Sequence, residues 1–312
     1  MRVTQNYFTD ALVSRLNSLT SRQYALQNQV SSGLRVQAPE DDPTAMQNVL
    51  NYKASKATQE RYASNISTLQ TRATSTFSSL QQLQTIASDV SVIATNAGDV
   101  IQSDLSVYGG KVSDAIESAL QQVNKKDSET GRYLFGGTDS GQVPFVATRD
   151  ASGKITAVTY QGNTSVNESE IAPDSTVTAD VAGANTSGTG ARGLITDSGA
   201  GADFFNHLIS LRDHLMANDK TSISTIDTVA INKDEDNFLY QISVNGSLQS
   251  RLENAANFSS ENTAALDKMI SRSVDADMVE TLVQLNAAQN SYEAALQSGA
   301  KIMQLSLLNY IQ

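Results

Sequence analysis

Apolar residues at heptad spacing open and close this chain, and a turn-rich middle holds the two stripes apart. Near the start, Leu12, Leu16, Leu19, Gln23, Leu26, Val30 and Gly33 follow one another at alternating intervals of four and three, the a/d rhythm of a coiled-coil seam. Near the end, Met278, Leu282, Leu285, Gln289, Tyr292, Leu296, Gly299 and Met303 repeat it. A lone helix with one narrow stripe, interrupted by glutamine and glycine, has no core of its own on which to bury it. The two ends must cover each other or be covered by another molecule. The predicted assembly interface is therefore Leu12, Leu16, Leu19, Leu26 and Val30 from the first helix with Leu282, Leu285, Tyr292, Leu296 and Met303 from the last.

The chain has four prolines, and they act as punctuation. Gly33 is a candidate C-cap for the first helix, and Ala38 and Asp42, each preceding a proline, predict an extended Leu34–Asp42 segment. Asp42 then serves as N-cap and Pro43 as the first residue of a second helix. That helix is long, because Tyr62, Ile66, Leu69, Ala73, Thr76, Leu80, Leu83, Ala87, Val90, Ala94, Ala97 and Ile101 keep the four-three alternation. It is expected to run to about Val107, on the order of 95 Å at 1.5 Å per residue, and to break at Gly109-Gly110. Val112, Ile116, Ala119 and Val123 predict a short helix folding back along it.

From Gly131 to Gly201 the runs YLF, ITAVTY and TVTADV are β-type, separated by Gly, Pro, Asn and Ser. Helix returns with Phe204, Leu208, Leu211 and Leu215, then from about Phe238 to Ile270 with Asp234-Glu235-Asp236 at its start, and finally from about Asp275 to Ile311. The expected fold is mainly α: an elongated rod of long antiparallel helices, its terminal segments paired as a coiled coil, with an inserted small β-rich domain. The expected divisions are residues 1–36 with 285–312 as the terminal assembly segment, 37–130 with 204–284 as the helical rod, and 131–203 as the β-rich domain.

Composition narrows the function. With 39% apolar residues, 6% aromatic and no tryptophan, the 312 residues do not supply one large globular core. The formal charge of −11 argues against nucleic acid as a partner, since phosphate binding needs clustered Lys and Arg. Residues 1–72 hold eight Lys/Arg against five Asp/Glu, which leaves −14 on the rest and favours pairing of the two ends. The absence of cysteine removes disulfides and thiolate chemistry. Asp10 and Arg15 interrupt any signal-peptide core, and no stretch approaches the roughly 20 apolar residues of a membrane span. Export, if it occurs, is expected without a cleaved signal, and no membrane partner is expected.

Catalytic, cofactor and metal sites are not expected. Gly188-Thr189-Gly190-Ala191-Arg192-Gly193 spells G-x-G-x-x-G, but no strand leads into it and no helix opens at its end. His207 and His214 sit seven apart on one predicted helix, not at the i, i+4 spacing of a zinc helix. No G-x-S-x-G elbow occurs. Asp41-Asp42 and the Asp275/Asp277 pair stand at predicted helix starts, where capping is the simpler role.

The ordered motifs resemble the bacterial flagellin superfamily of axial proteins. Ser31-Ser32-Gly33-Leu34-Arg35-Val36, followed by Pro39-Glu40-Asp41-Asp42-Pro43, is similar to the family's segment leading into its long helix. The P-x-D-D-P form, and Gly131-Arg132-Tyr133-Leu134-Phe135-Gly136-Gly137-Thr138 with Pro144-Phe145, resemble the family's hook-filament junction branch rather than flagellin itself. Asp275-Ala276-Asp277-Met278-Val279-Glu280 and the closing Leu305–Ile311 segment resemble that branch's last helix. The resemblance implies a structural, non-enzymatic, cofactor-free subunit at the extracellular hook-filament junction. Its implied partners are copies of itself in a tubular layer, the other hook-associated junction protein on the hook side, flagellin on the filament side, and a flagellar export chaperone. A filament-forming flagellin and a nucleotide-binding module built on the glycine loop are the alternatives.

Overall fold

The computed structural model describes residues 2–97, 102–127 and 130–311, with side chains described for 10–97, 105–127 and 130–301. Seven main helices carry most of the chain: α1 (Arg2–Ser32), α2 (Pro43–Asn96), α3 (Gln102–Val123), α4 (Phe204–Ala217), the single turn α5 (Lys220–Ser222), α6 (Thr228–Val274) and α7 (Met278–Ile311). A π-helical turn, Ile223–Asp227, joins α5 to α6. Among the described residues, strands fall only within 145–203. β1 (Phe145–Arg149) and β2 (Ile155–Tyr160) form an antiparallel hairpin, β3 (Ser169–Ala172) and β4 (Ser175–Val177) a second. β5 (Ala184–Asn185), β6 (Thr196–Asp197) and β7 (Ala202–Asp203) form a small sheet in which β5 and β6 run parallel. The expected mainly helical fold with a small β insertion is the one observed.

The chain divides into two compact units. Residues 59–260 make the larger. Every described member of the α2 stripe from Tyr62 to Ala97 is buried, Ile101 lying outside the described residues; Ile66, Leu69 and Ala73 join a small cluster with Leu252, and Leu80 to Ala97 enter the main core. Val112, Ile116, Ala119 and Val123 of α3 and Phe204, Leu208, Leu211 and Leu215 of α4 are buried against the same core. Phe204 and Phe238 meet edge-to-face with ring centroids 4.9 Å apart, a geometry that suits aromatic quadrupoles.

Several expectations are corrected. The second helix ends at Asn96, not near Val107. Gly109-Gly110 lies inside α3. Gly109 is there for space: a Cβ on it would lie 2.9 Å from Met216 Cε and 3.1 Å from its Cγ, so its missing side chain lets α3 press against α4. The main helical neighbour of α3 is α4 rather than α2. The helix expected from Phe238 begins at Thr228 and runs to Val274, so the acidic run 234–236 lies within it. YLF forms no strand: Tyr133 makes an isolated bridge with Lys126, and Gly136 just after the run makes another with Ala182. Within TVTADV only the first two residues belong to β4.

The GRYLFGGT block is knotted into this unit through its middle, Leu134 to Gly137, which is buried. Leu134 and Phe135 are in the core. Gly137, at φ +66, sits so close to Asn163 that a Cβ would lie 2.3 Å from its carbonyl oxygen. Asn124 holds Phe145 from both sides, donating to its carbonyl at 2.8 Å and accepting from its N–H at 3.0 Å. The Tyr160 hydroxyl bonds the Phe135 and Asn163 carbonyls at 3.1 and 2.9 Å. The glycine loop is closed on itself. Asn185 donates to the Thr189 and Ala191 carbonyls, Gly193 N–H goes to Asp197, and Asn237 on α6 donates to the Gly193 and Leu194 carbonyls.

Candidate assembly interface

The second unit comprises residues 1–58 and 261–312. Its fixed point is the segment on which the family resemblance rests. Gly33 adopts φ +72 at the end of α1, the left-handed turn that a missing Cβ permits. The chain then runs as a short bridge beside the end of α6. Arg35 N–H donates to the Val274 carbonyl at 2.6 Å, Ala276 N–H donates to the Gly33 carbonyl at 2.9 Å, and Leu34 pairs with Asp275. Arg35 also donates to the Ser273 carbonyl and faces Asp42 at 3.3 Å. Below it Val36, Val49 and Val274 are buried with Leu34, Met46 and Ile270 around them.

The acidic pair works as the spacing predicts. Asp42 accepts from Ala45 N–H at 3.0 Å as the N-cap of α2, with Pro43 at the first helical position. Asp41 accepts from Gln37 and Ala38 N–H groups, both at 2.9 Å, closing the turn before it. The backbone N–H of Ala38, then that of Gln37, holds the Asp41 carboxyl below its ordinary range, and the Ala45 N–H does the same for Asp42. Asp277 caps α7 through Val279 and Glu280 N–H groups. Asp275 instead accepts from the Ser271 hydroxyl.

From this knot α1 and α7 run antiparallel along each other. Far from the turn, a Cβ on Gly299 would lie 2.5 Å from Leu12 Cδ2, so these two residues face each other directly. Carried along the pair, that register sets Leu16 against Ala295, Leu19 against Tyr292, Gln23 against Ala288, Leu26 against Leu285 and Val30 against Thr281. Every one of these residues is buried or half-buried. The face of α7 turned to α1 is thus Thr281, Leu285, Ala288, Tyr292, Ala295 and Gly299, a heptad seam rich in small residues that admits close approach.

The structure places the predicted interface residues as follows. Leu26 is buried; Leu12, Leu16, Leu19, Val30, Leu285 and Tyr292 are half-buried in the seam between α1 and α7. Leu282 and Leu296 lie one position on from the covered Thr281 and Ala295 and stay 44% and 45% exposed. Val279 and Val283 beside Leu282 are 75% and 63% exposed. The Met303 side chain lies outside the described residues. Sequence reasoning followed the large apolar residues of α7 and passed over Thr281, Ala288 and Ala295; the legible signal was their spacing of seven, which interleaves with Leu285, Tyr292 and Gly299 to complete the four-three rhythm.

Among the described residues, no group of three or more His, Cys, Asp or Glu could hold a metal ion, and no helix is long and apolar enough to cross a membrane. No family model matches the chain, and no curated protein matches it. Solved structures do. A flagellar hook-associated protein from Vibrio parahaemolyticus is 21% identical with a TM-score of 0.64, the likeness covering 75% of this chain and all of that one. Long helices with paired ends and a small β insertion are therefore the fold of flagellar hook-associated proteins. More particularly, it is the fold of FlgL, the hook-associated protein 3. FlgL of Bacillus cereus is 19% identical with a TM-score of 0.55, covering 70% of this chain and 97% of that one. Hook-associated protein 3 of Legionella pneumophila is 12% identical with a TM-score of 0.58, covering 72% and 98%. At these identities the likeness is one of fold.

Proposed function

We propose that this chain is a structural subunit of the bacterial flagellum that forms the adapter layer at the hook-filament junction, joining the other hook-associated junction protein to the flagellin filament. The observation that carries the reading is the terminal helix pair, docked by the S-S-G-L-R-V segment onto Val274–Ala276, with apolar residues of α7 left uncovered. Burying Val279, Leu282, Val283 and Leu296 against neighbouring copies would favour a closed layer by about 25 cal/mol per Å2 of apolar surface. The FlgL fold and the GRYLFGGT knot support the junction role over the filament role. In this reading the paired ends form the inner segment, the remaining helices the next layer, and the β-rich segment faces outward. Delivery is through flagellar export with a dedicated chaperone and no cleaved signal, and no enzymatic step is involved.

The test is electron microscopy of cells lacking the gene, with flagellin assayed in the medium. Complete hooks without filaments and flagellin shed as monomer are the expected result. Intact filaments would overturn the proposal, and hooks with no flagellin made at all would assign the chain as the filament protein.

A further inference from the structure

Both histidines of the chain lie on α4, and they reach the continuous segment formed by the π-turn and α6. His207 Nδ1 is 2.7 Å from Asp234 Oδ2, and His214 Nδ1 is 2.6 Å from Asp227 Oδ2. The histidines are seven residues apart, and so are the aspartates, in the opposite chain order. The two pairs are rungs of an antiparallel ladder two helical turns apart. Asp227 closes the π-turn and Asp234 lies two turns into α6; each is 1% exposed. Each carboxylate has one further donor: Asp203 N–H to Asp234 at 2.9 Å, and the Ser210 hydroxyl to Asp227 at 2.8 Å.

We infer that this ladder is a proton-operated clasp that fastens α4 to the π-turn and α6. With the imidazoles protonated, each rung is a charge-assisted hydrogen bond between a cation and a buried carboxylate. With them neutral, each buried carboxylate keeps its charge but loses its counter-ion, and the rung weakens. The imidazoles can exchange protons with solvent, their side chains being 23% and 30% exposed. The groups facing His207 are Asp234 and Lys233 from α6 and Asp203 from β7. Those facing His214 are Asp227 from the π-turn, Asp219 from the turn before α5, and Ser210 from its own helix.

Burial pulls His207 toward its neutral form, but the hydrogen bond and charge of Asp234, with help from Asp203 and against Lys233, raise its pKa above the ordinary 6.5. Burial pushes Asp234 up to about 6, against the hydrogen bond and charge of His207 and the Asp203 N–H. Both shifts have the same sign. A histidine raised on folding contributes stability that is full below 6.5 and is lost as pH rises through its folded pKa. A raised carboxyl likewise favours the folded state less as pH rises from 3.8 toward about 6. The His207–Asp234 rung is therefore tighter in mild acid than in mild alkali.

Hydrogen exchange of the full chain between pH 5.5 and 8.5, referred to intrinsic rates at each pH, tests this. Protection in Phe204–Ala217 is expected to fall across that range, since both raised groups favour the folded state less as pH rises, while that of α2 residues 80–94 stays level. His207→Asn with Asp234→Asn, which replaces both titrating partners of that rung by neutral amides still able to bond each other, is expected to flatten the slope. Unchanged protection in the wild type, or the same slope in the double variant, would overturn the clasp. Should the double variant not fold, the wild-type imidazole signals decide: His207 titrating above 6.5 supports the clasp, and titration at or below that value overturns it.

Discussion

Asn124 illustrates how much of the larger unit hangs on single side chains that bond backbone. Its amide both donates to and accepts from Phe145, fixing the start of β1 against the end of α3. Asn124→Ala removes both bonds and leaves a half-buried N–H and C=O of a core residue unpaired. The expected cost is about 2 kcal/mol, read from the chemical-denaturation midpoint, with no change in helix content by circular dichroism. Caps such as Gly33, Asp42 and Asp277 were legible beforehand because their partners are the next few residues in the chain. Asn124 was not, nor was Arg212. The guanidinium of Arg212, 1% exposed, donates to the Ile155 carbonyl across a gap of 57 residues. The aspartates of the clasp were hidden for the same reason. Asp234 reads in sequence as part of an acidic helix start, and only the packing of α4 turns it inward.

At the level of elements, periodicity located the buried faces of α2, α3 and α4 and misplaced the end of α2 and the starts of α3 and α6. The stripe from Tyr62 to Ala97 is buried throughout because a strict four-three rhythm admits one solution, a helix with that face inward. Glycine has two solutions. A pair of glycines marks a break where the backbone must turn and a contact where two helices must approach, and sequence alone does not distinguish them. The structure separates Gly109, which faces Met216, from Gly110, around which a Cβ would meet nothing within 4 Å. Gly110→Ala should therefore stabilise the protein by about 0.5–1 kcal/mol, the full gain of alanine over glycine inside a helix. Gly109→Ala should gain less, because the Met216 side chain must move. Equal gains in thermal unfolding would contradict the close-approach role of Gly109, and a loss at Gly110 would contradict a helix continuous through the pair.

For the whole molecule, the terminal pair separates contacts that hold the chain together from contacts reserved for its neighbours. Leu16 lies in the register opposite Ala295, inside the seam between α1 and α7, whereas Leu296, one residue further, points away from it and is exposed. A charge at the two positions should therefore act differently. Leu16→Asp places a carboxylate in the seam and should loosen the α1–α7 pair in the isolated chain as well as block assembly. Leu296→Asp touches no seam contact and should leave the helix content and unfolding midpoint of the purified protein within error of the wild type. If the uncovered side of α7 is the surface on which copies pack, that second variant should nevertheless abolish filament growth on otherwise complete hooks, because it would bury an unpaired charge at every subunit contact of a layer. Cells carrying Leu296→Asp that swim with normal filaments would show that this side of α7 faces solvent in the assembled state, and would confine the contribution of the terminal helices to the seam within each chain.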